Sequence, residues 1–254
     1  MDKNFANKIE AWIKDYVKTS NANGVVVGIS GGKDSLVVAK LCANALGKDN
    51  VFGVIMPNGN MKDIDDAVET CKLLDIKYDI INIEMPYKDI IDNVKRVMNG
   101  NEISSVTKIN TAPRLRMTTL YAVAGSLNYL VANTSNLSEA MIGYTTKWGD
   151  NVGDFAPIAN LTKTEVCELG ILLGLPDKFV NKAPSDGLSG QSDEEKIGFT
   201  YDELDKLIRN NKKGENYNKI LNLNKMSQHK RIGAVKFDFE NINFMEKNYD
   251  NKRR

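Results

Sequence analysis

The densest group of chemically suggestive residues is Gly28-Ile29-Ser30-Gly31-Gly32-Lys33-Asp34-Ser35, which joins a run of valines to a helical pattern. Glycines let the backbone approach an oxyanion closely, and the free N–H groups opening a helix meet it with the positive end of the helix dipole. The loop therefore reads as a phosphate cradle. It is not a Walker A loop, in which the lysine is followed directly by Ser or Thr, because Asp34 follows Lys33. Adjacent Gly31 and Gly32 also break the G-x-G-x-x-G spacing of the dinucleotide fingerprint. A lysine at a helix N-terminus is unfavourable unless an anion is bound, and Asp34 beside it can hold the magnesium of a nucleotide. An ordinary glycine-rich βα turn is the plainer alternative.

Other candidates lie far along the chain. Glu139 follows a later strand and can converge with Asp34 on a divalent cation, or simply complement a helix dipole as a first-turn glutamate. Lys163 falls in the first turn of a well-capped helix, again a cation at the wrong end unless a phosphate is present. Arg114 stands beside Pro113 at an expected helix N-terminus, an anion-friendly position, with a solvated arginine as the alternative. Lys147 and Asp150 bracket Trp148-Gly149, either presenting both charges to one pocket or forming a surface turn. Thr134 and Ser185 carry hydroxyls that read equally as local turn caps. His229 alone reads as a surface or capping histidine.

Short β-branched runs alternating with longer helical patterns must position these residues, which is the sequence form of a parallel α/β sheet. Strands are expected at Val25–Ile29, Val51–Met56, Tyr78–Ile83 and Tyr129–Asn133. Lys33 to Leu46 is apolar nearly all round and so is a covered helix. Pro113 marks the expected start of a long helix reaching about Asn128. Thr162 with Glu165 forms a capping box, ended by Gly174 and Pro176, and Thr200 with Glu203 forms a second. Residues 181–196 lack periodicity and have the length of a lid loop. The expected architecture is one doubly wound α/β domain over 1–254, with helices on both faces, helical additions at both ends, an N-terminal helix over 1–22 and a flexible tail over 240–254. Ligands bind such folds outside the carboxyl ends of the strands.

Composition narrows the classes further. The 254 residues carry 34 Lys+Arg against 33 Asp+Glu, a net charge of +1 that offers no excess for holding a nucleic acid. Cys42, Cys71 and Cys167 are far apart in apolar, helical settings and read as buried hydrophobes in a reducing cytosol. His229 is the one histidine and has no neighbours to complete a zinc site. The uncharged run from Met117 to Ser138 contains nine Ser, Thr or Asn residues, too many for a membrane span. No secretory signal is apparent, so a soluble cytoplasmic protein is expected.

Ser30-Gly31-Gly32-Lys33-Asp34-Ser35 resembles the Ser-Gly-Gly-x-Asp-Ser loop of ATP pyrophosphatases, which cleave ATP between the α and β phosphates to activate an acceptor as its adenylate. Arg114-Leu115-Arg116-Met117, Ser138-Glu139-Ala140, Thr146-Lys147-Trp148-Gly149-Asp150, Leu161-Thr162-Lys163, Gln191-Ser192-Asp193-Glu194 with Gly198 and Tyr201, and His229-Lys230-Arg231 are similar in order and spacing to ammonia-dependent NAD synthetases. The resemblance covers about Val25 to Arg231.

It implies ATP-dependent amidation of deamido-NAD to NAD through a nicotinate acyl-adenylate attacked by ammonia. By the same resemblance, Gly28 to Ser35, Thr134, Lys163 and Ser185 contact ATP, and Asp34 and Glu139 hold Mg²⁺. Arg114, Lys147, Asp154, His229 and Lys230 bind the dinucleotide, and Asp150 sits where ammonium enters. A homodimer with the dinucleotide at its interface is implied too, and the synthetase fold leaves no length for a glutaminase domain. Two departures stand out: Ile55-Met56-Pro57 replaces the family's common Arg-Leu-Pro, so that an arginine contact to ATP is missing or supplied elsewhere, and Asn136-Leu137-Ser138 replaces His-Ala-Ala. Another ATP pyrophosphatase, or an ATP-binding module without turnover, remains the alternative. A pure sensor would need the glycine cradle but not two convergent carboxylates.

Overall fold

Val25, Val26 and Val27 are all fully buried, because successive side chains of a strand point to opposite faces and both faces of this sheet are covered. The computed structural model describes residues 1–60, 64–181 and 192–237. Four strands, β1 (Gly24–Gly28), β2 (Val51–Ile55), β3 (Lys77–Ile80) and β4 (Tyr129–Ala132), form one parallel sheet in the order β3-β2-β1-β4. The chain steps outward from β1 to β3 and then returns to lay β4 on the other side of β1. This reversal opens a crevice between the loops that follow β1 and β4.

On one face, Val25 and Val27 pack with Ile13 of α1 (Lys3–Thr19), Leu36 and Leu41 of α2 (Lys33–Leu46), Cys71 of α3 (Ile64–Leu74) and Leu169 of α7 (Lys163–Leu172). Phe179 and Val180 of the short α8 (Asp177–Val180) close that layer. On the other, Val26, Val54 and Val131 pack with Ala112 and Ala124 of α5 (Ser105–Leu127), flanked by α4 (Glu84–Val97). α6 (Leu137–Ile142) leads from the sheet to a third apolar cluster, in which Ile142 meets Ile197 of α9 (Asp193–Ile197), Leu204 of α10 (Tyr201–Asn210) and Ile220 of α11 (Tyr217–Met226). The short α12 (Gln228–Arg231) follows. No helix among the described residues is long and apolar enough to cross a membrane.

The doubly wound expectation holds, and α2 occupies the expected residues with eight of its side chains buried. Other elements differ. Pro113 does not open a helix but lies inside α5, which starts eight residues earlier behind Ser104, whose hydroxyl accepts the Thr107 N–H. The segment before Pro113 has a weak apolar pattern, so the cap at Ser104 has little sequence signal. Arg114 consequently sits within a helix and not at its anion-friendly end. β3 stops at Ile80, because Asn82 turns the chain by accepting the Gly59 and Glu84 N–H groups.

The box at Thr162 forms with both reciprocal bonds, and Gly174 follows that helix in a left-handed conformation. At Thr200 only half of the box is present, since the Glu203 carboxylate turns instead to the Asn216 backbone and side chain. Within the 181–196 segment, Ser192 and Glu195 form a box of their own that opens α9. Residues 182–191 and 238–254 lie outside the described residues.

Glu165 joins the cap of α7 to Arg209 of α10 through bonds of 2.7 and 2.5 Å. Partial burial alone would raise its pKa, but the Arg209 and Thr162 bonds win and hold it below the ordinary carboxylate value. A lowered folded-state pKa means that this stability is present above the unfolded pKa and is lost as pH falls through the folded one. Thr162→Ala should cost about 1 kcal/mol in urea unfolding at pH 7. Glu165→Gln should lower stability at pH 7 and flatten the acid limb of the stability profile below about pH 4.

Candidate active site

A cavity of about 790 Å³ opens at the carboxyl ends of the strands. Its floor is the β1–α2 loop, Gly28 to Ser35, and its walls include Ile55 to Pro57 after β2 and Asn133 to Ser135 after β4. Gly31 has φ of +79°, a conformation costly to residues with a Cβ. The loop is braced from within by Ser35, whose hydroxyl donates to the Gly32 carbonyl at 2.9 Å and accepts the Ser30 N–H at 3.3 Å.

Asp34 begins α2 and Glu139 begins α6, yet their side chains converge on one cation. The Lys163 ammonium donates to Asp34 Oδ2 at 2.6 Å and to Glu139 Oε1 at 2.9 Å. The remaining oxygens are also held: Asp34 Oδ1 accepts the Asn136 side-chain amide at 3.1 Å, and Glu139 Oε2 accepts the Asn136 backbone N–H at 3.3 Å. Lys163 also lies 5.3 Å from the ring centroid of Tyr201, whose buried hydroxyl has no hydrogen-bond partner among the described residues.

Two carboxyl groups crowd against one ammonium in a site where Lys163 is buried and both acids are mostly withdrawn from water. Burial pushes Glu139 up to about 7, with Asp34 adding to the rise and Lys163 opposing it. Burial by itself would lower the Lys163 pKa, but the two carboxylates overcome it and hold the ammonium well above its ordinary value.

The donor chemistry fits magnesium. Both converging groups are hard carboxylates, and among the described residues no cluster of three or more His, Cys, Asp or Glu could hold an ion alone. An ion bound by one or two carboxylates and completed by substrate phosphates is the usual magnesium arrangement in nucleotide sites.

Asp150 faces the same cavity. Its backbone carbonyl accepts from Asn133 and Ser135, and its carboxylate accepts the Thr146 N–H at 2.6 Å. Partial desolvation by the cavity walls raises its pKa even though the residue is exposed at the mouth, while that N–H bond and the charges of Lys230 and Arg116 pull it back. Thr134 and Lys230 line the cavity too, and the Lys230 ammonium donates to the Gly143 and Thr145 carbonyls at 2.7 Å each. Burial lowers its pKa. Lys33 is buried, with its ammonium 3.5 Å from Cys167 Sγ. Cys42 and Cys71 are buried as expected, and burial pushes both thiols up to about 12, whereas Cys167 is only partly covered.

Four of the expected dinucleotide contacts lie outside this cavity. Arg114, Lys147 and His229 form a chain along one rim: Arg114 Nε donates to the Lys147 carbonyl at 3.2 Å, and Lys147 Nζ donates to the His229 carbonyl at 2.6 Å. The Asp154 carboxylate is turned to the sheet, where it accepts the Val131 N–H at 2.7 Å and the Tyr121 hydroxyl at 3.3 Å. Ser185 lies outside the described residues.

Two residues given no role from sequence belong to the site. Asn136 is fully buried and orients both Asp34 and Glu139; its signal was the Asn-x-x-Glu cap of α6. Arg116 lines the cavity and donates to the Met56 carbonyl at 3.0 Å, so a guanidinium stands against the very loop that lacks the family's arginine.

A parallel sheet with a glycine-rich loop, a buried lysine and two convergent carboxylates at its topological switch point defines an α/β protein built for a phosphate-bearing ligand. Residues 5–237 match the NAD synthase family. The NH(3)-dependent NAD(+) synthetase of Thermococcus sibiricus is 45% identical over 202 residues, 79% of this chain and 78% of that protein. The same-named protein of Carboxydothermus hydrogenoformans is 43% identical over 88% of this chain and 93% of its own length. Among solved structures, NMN synthetase from Francisella tularensis superposes with a TM-score of 0.86 at 35% identity, covering 93% of this chain and 98% of that one. The NH3-dependent NAD synthetase of Campylobacter jejuni gives 0.76 at 32% identity, covering 94% and 100%. The chain belongs to the NAD synthase family and is an enzyme of that family.

Removing the shared cation exposes the cluster's charge. Lys163→Met should destabilise the metal-free protein by roughly 3–5 kcal/mol. Urea unfolding in EDTA measures this, and added Mg²⁺ should restore part of the loss.

Proposed function

We propose that the chain converts deamido-NAD to NAD, using ATP to activate the nicotinate carboxylate and ammonia to displace AMP. The observation that carries this reading is the convergence of Asp34 and Glu139 on one cation position beside the Gly28–Ser35 loop. A protein that only sensed ATP would have no need of it.

In this reading the glycine loop grips the β and γ phosphates through its N–H groups, with Thr134, Ser185 and Lys33 as further contacts. Lys163 delivers positive charge to the phosphates, and Arg116 supplies the guanidinium that the loop at Ile55 lacks. Asp34 and Glu139 would hold Mg²⁺, which when bound neutralises phosphate charge and so lowers the repulsion met by an incoming carboxylate. The nicotinate oxygen attacks the α-phosphorus, the bond to the bridging oxygen breaks, and pyrophosphate leaves. Asp150 draws in ammonium and accepts one of its protons. The freed nitrogen attacks the acyl carbon, the second proton passes to solvent water as the tetrahedral adduct collapses, and AMP departs with its electron pair.

Arg114, Lys147, His229 and Lys230 line the rim that the dinucleotide would follow, with Asp154 behind it. A second copy of the chain would complete this rim, since α4 and α5 leave Met85, Val97, Val106 and Ile109 between 62% and 76% exposed. Such apolar exposure suits an interface. Free ammonia or a separate glutaminase supplies nitrogen, and the reaction belongs in the cytoplasm.

The mononucleotide is a competing acceptor because of the close likeness to the Francisella tularensis NMN synthetase. Purified protein with ATP, Mg²⁺ and ammonium should release pyrophosphate with deamido-NAD and much less with nicotinate mononucleotide. The opposite ranking would move the reading to the smaller substrate, and no release with any acceptor would end it. Asp150→Asn should slow amide formation by roughly 10²-fold or more while pyrophosphate–ATP exchange persists. Val97→Asp combined with Ile109→Asp should shift the sedimenting species from dimer to monomer.

A further inference from the structure

Asp205 lies on α10, outside the cavity, and is 4% exposed. Its carboxylate reaches the first turns of two other helices at once. Oδ1 accepts the Ser138 hydroxyl at 2.5 Å, and Oδ2 accepts both the Thr164 N–H and the Thr164 hydroxyl at 2.8 Å. Ser138 Oγ in turn accepts the Lys163 N–H at 2.9 Å. Ser138 immediately precedes Glu139, and Thr164 immediately follows Lys163. One buried carboxylate thus fixes the backbone on which both halves of the Lys163–Glu139 pair are mounted.

Simple docking of α10 does not require this group. Leu204 is fully buried in the apolar cluster, and Arg209 holds Glu165 through two bonds from the same helix. Burying a carboxylate against hydroxyls and amides is harder than burying an apolar side chain of similar size. What the carboxylate adds is direction. It satisfies the opening N–H groups of α7, one directly and one through Ser138, and ties α6 to them, so the two helix starts keep one fixed separation. A shift of about 1 Å in such mountings can cost roughly 10²-fold in rate.

We propose that Asp205 is the positioning residue that sets Lys163 and Glu139 at the spacing needed to receive metal-bound ATP. This rests on the functional reading above, but it can fail separately. The test compares wild type, Asp205→Asn, Ser138→Ala and, as a control, Glu203→Gln, whose carboxylate caps a loop on the far side of α10 from this pair. Thermal melts establish folding; Ser138→Ala, which removes one link without burying a new amide, serves if Asp205→Asn does not fold. Mn²⁺·ATP binding followed by electron paramagnetic resonance reads the site without turnover, and steady-state assays separate kcat from the acceptor KM.

Asp205→Asn should weaken Mn²⁺·ATP binding roughly tenfold and lower kcat by roughly 10- to 100-fold, with the acceptor KM within about twofold of wild type. Glu203→Gln should leave Mn²⁺·ATP binding unchanged. Binding within about twofold of wild type in a folded Asp205 or Ser138 variant would overturn the proposal whatever the activity. So would an equal loss in Glu203→Gln, which would reduce the effect to helix docking. If the wild type released no pyrophosphate, the functional reading would fall while Mn²⁺·ATP binding still decided the role of Asp205.

Discussion

Two carboxylates cannot both stay ionised side by side in a partly buried site unless a cation stands between them. In this protein that requirement is met by the Lys163 ammonium, and much of the architecture around the cavity serves to keep the three groups together. Asp34, Glu139 and Lys163 each fall in the first turn of a different helix: α2 behind Gly32, α6 behind Asn136 and α7 behind Thr162. Three helix N-termini therefore face one another across the carboxyl end of the sheet. Their dipoles favour anions and make the place hospitable to carboxylates and phosphates alike.

The C-terminal helices act as a clamp on this arrangement. Lys230 holds the carbonyls that follow α6, and Arg231 reaches the Ala140 carbonyl at 2.9 Å and the Ser227 hydroxyl at 2.9 Å. Gly143 lies so close to Ser227 that an added Cβ would fall 2.1 Å from the Ser227 Cβ. Behind them the apolar cluster of Ile142, Phe199, Leu204 and Ile220 supplies the burial that makes the clamp rigid. Charge at the cavity and hydrophobic packing behind it are thus carried on the same short helices.

Much of the site was legible from residue types. A cation at Lys33 and another at Lys163, both at helix starts, marked positions where an anionic partner had to be supplied. The structure supplies it at Lys163 from two carboxylates of the protein itself. The capping box at Thr162 was readable because its bonds are local, joining residues three apart. Pro113 does not mark the helix start, because a proline fits a first turn and is tolerated at a kink further in, and only the distant cap at Ser104 decides between them. Asn136 and Asp205 carried local signals too weak to reveal that each spans a gap of more than forty residues, 102 to Asp34 and 67 to Ser138. The rim of Arg114, Lys147 and His229 is likewise held by backbone carbonyls whose positions no residue pattern encodes.

By itself, the sequence determined the alternation of strand and helix, the glycine loop after the first strand, the family, and the charged residues Asp34, Glu139, Asp150 and Lys163 that line the cavity. These follow from periodicity and short-range chemistry, which depend on neighbours in the chain. Only the tertiary structure decided that β4 returns beside β1, that Asp34 and Glu139 share one cation, and that Asp154 faces the sheet and not the cavity. Those outcomes turn on distances between residues remote in sequence. Such distances are set by how whole layers pack, because burial and charge pairing act through space and not along the chain.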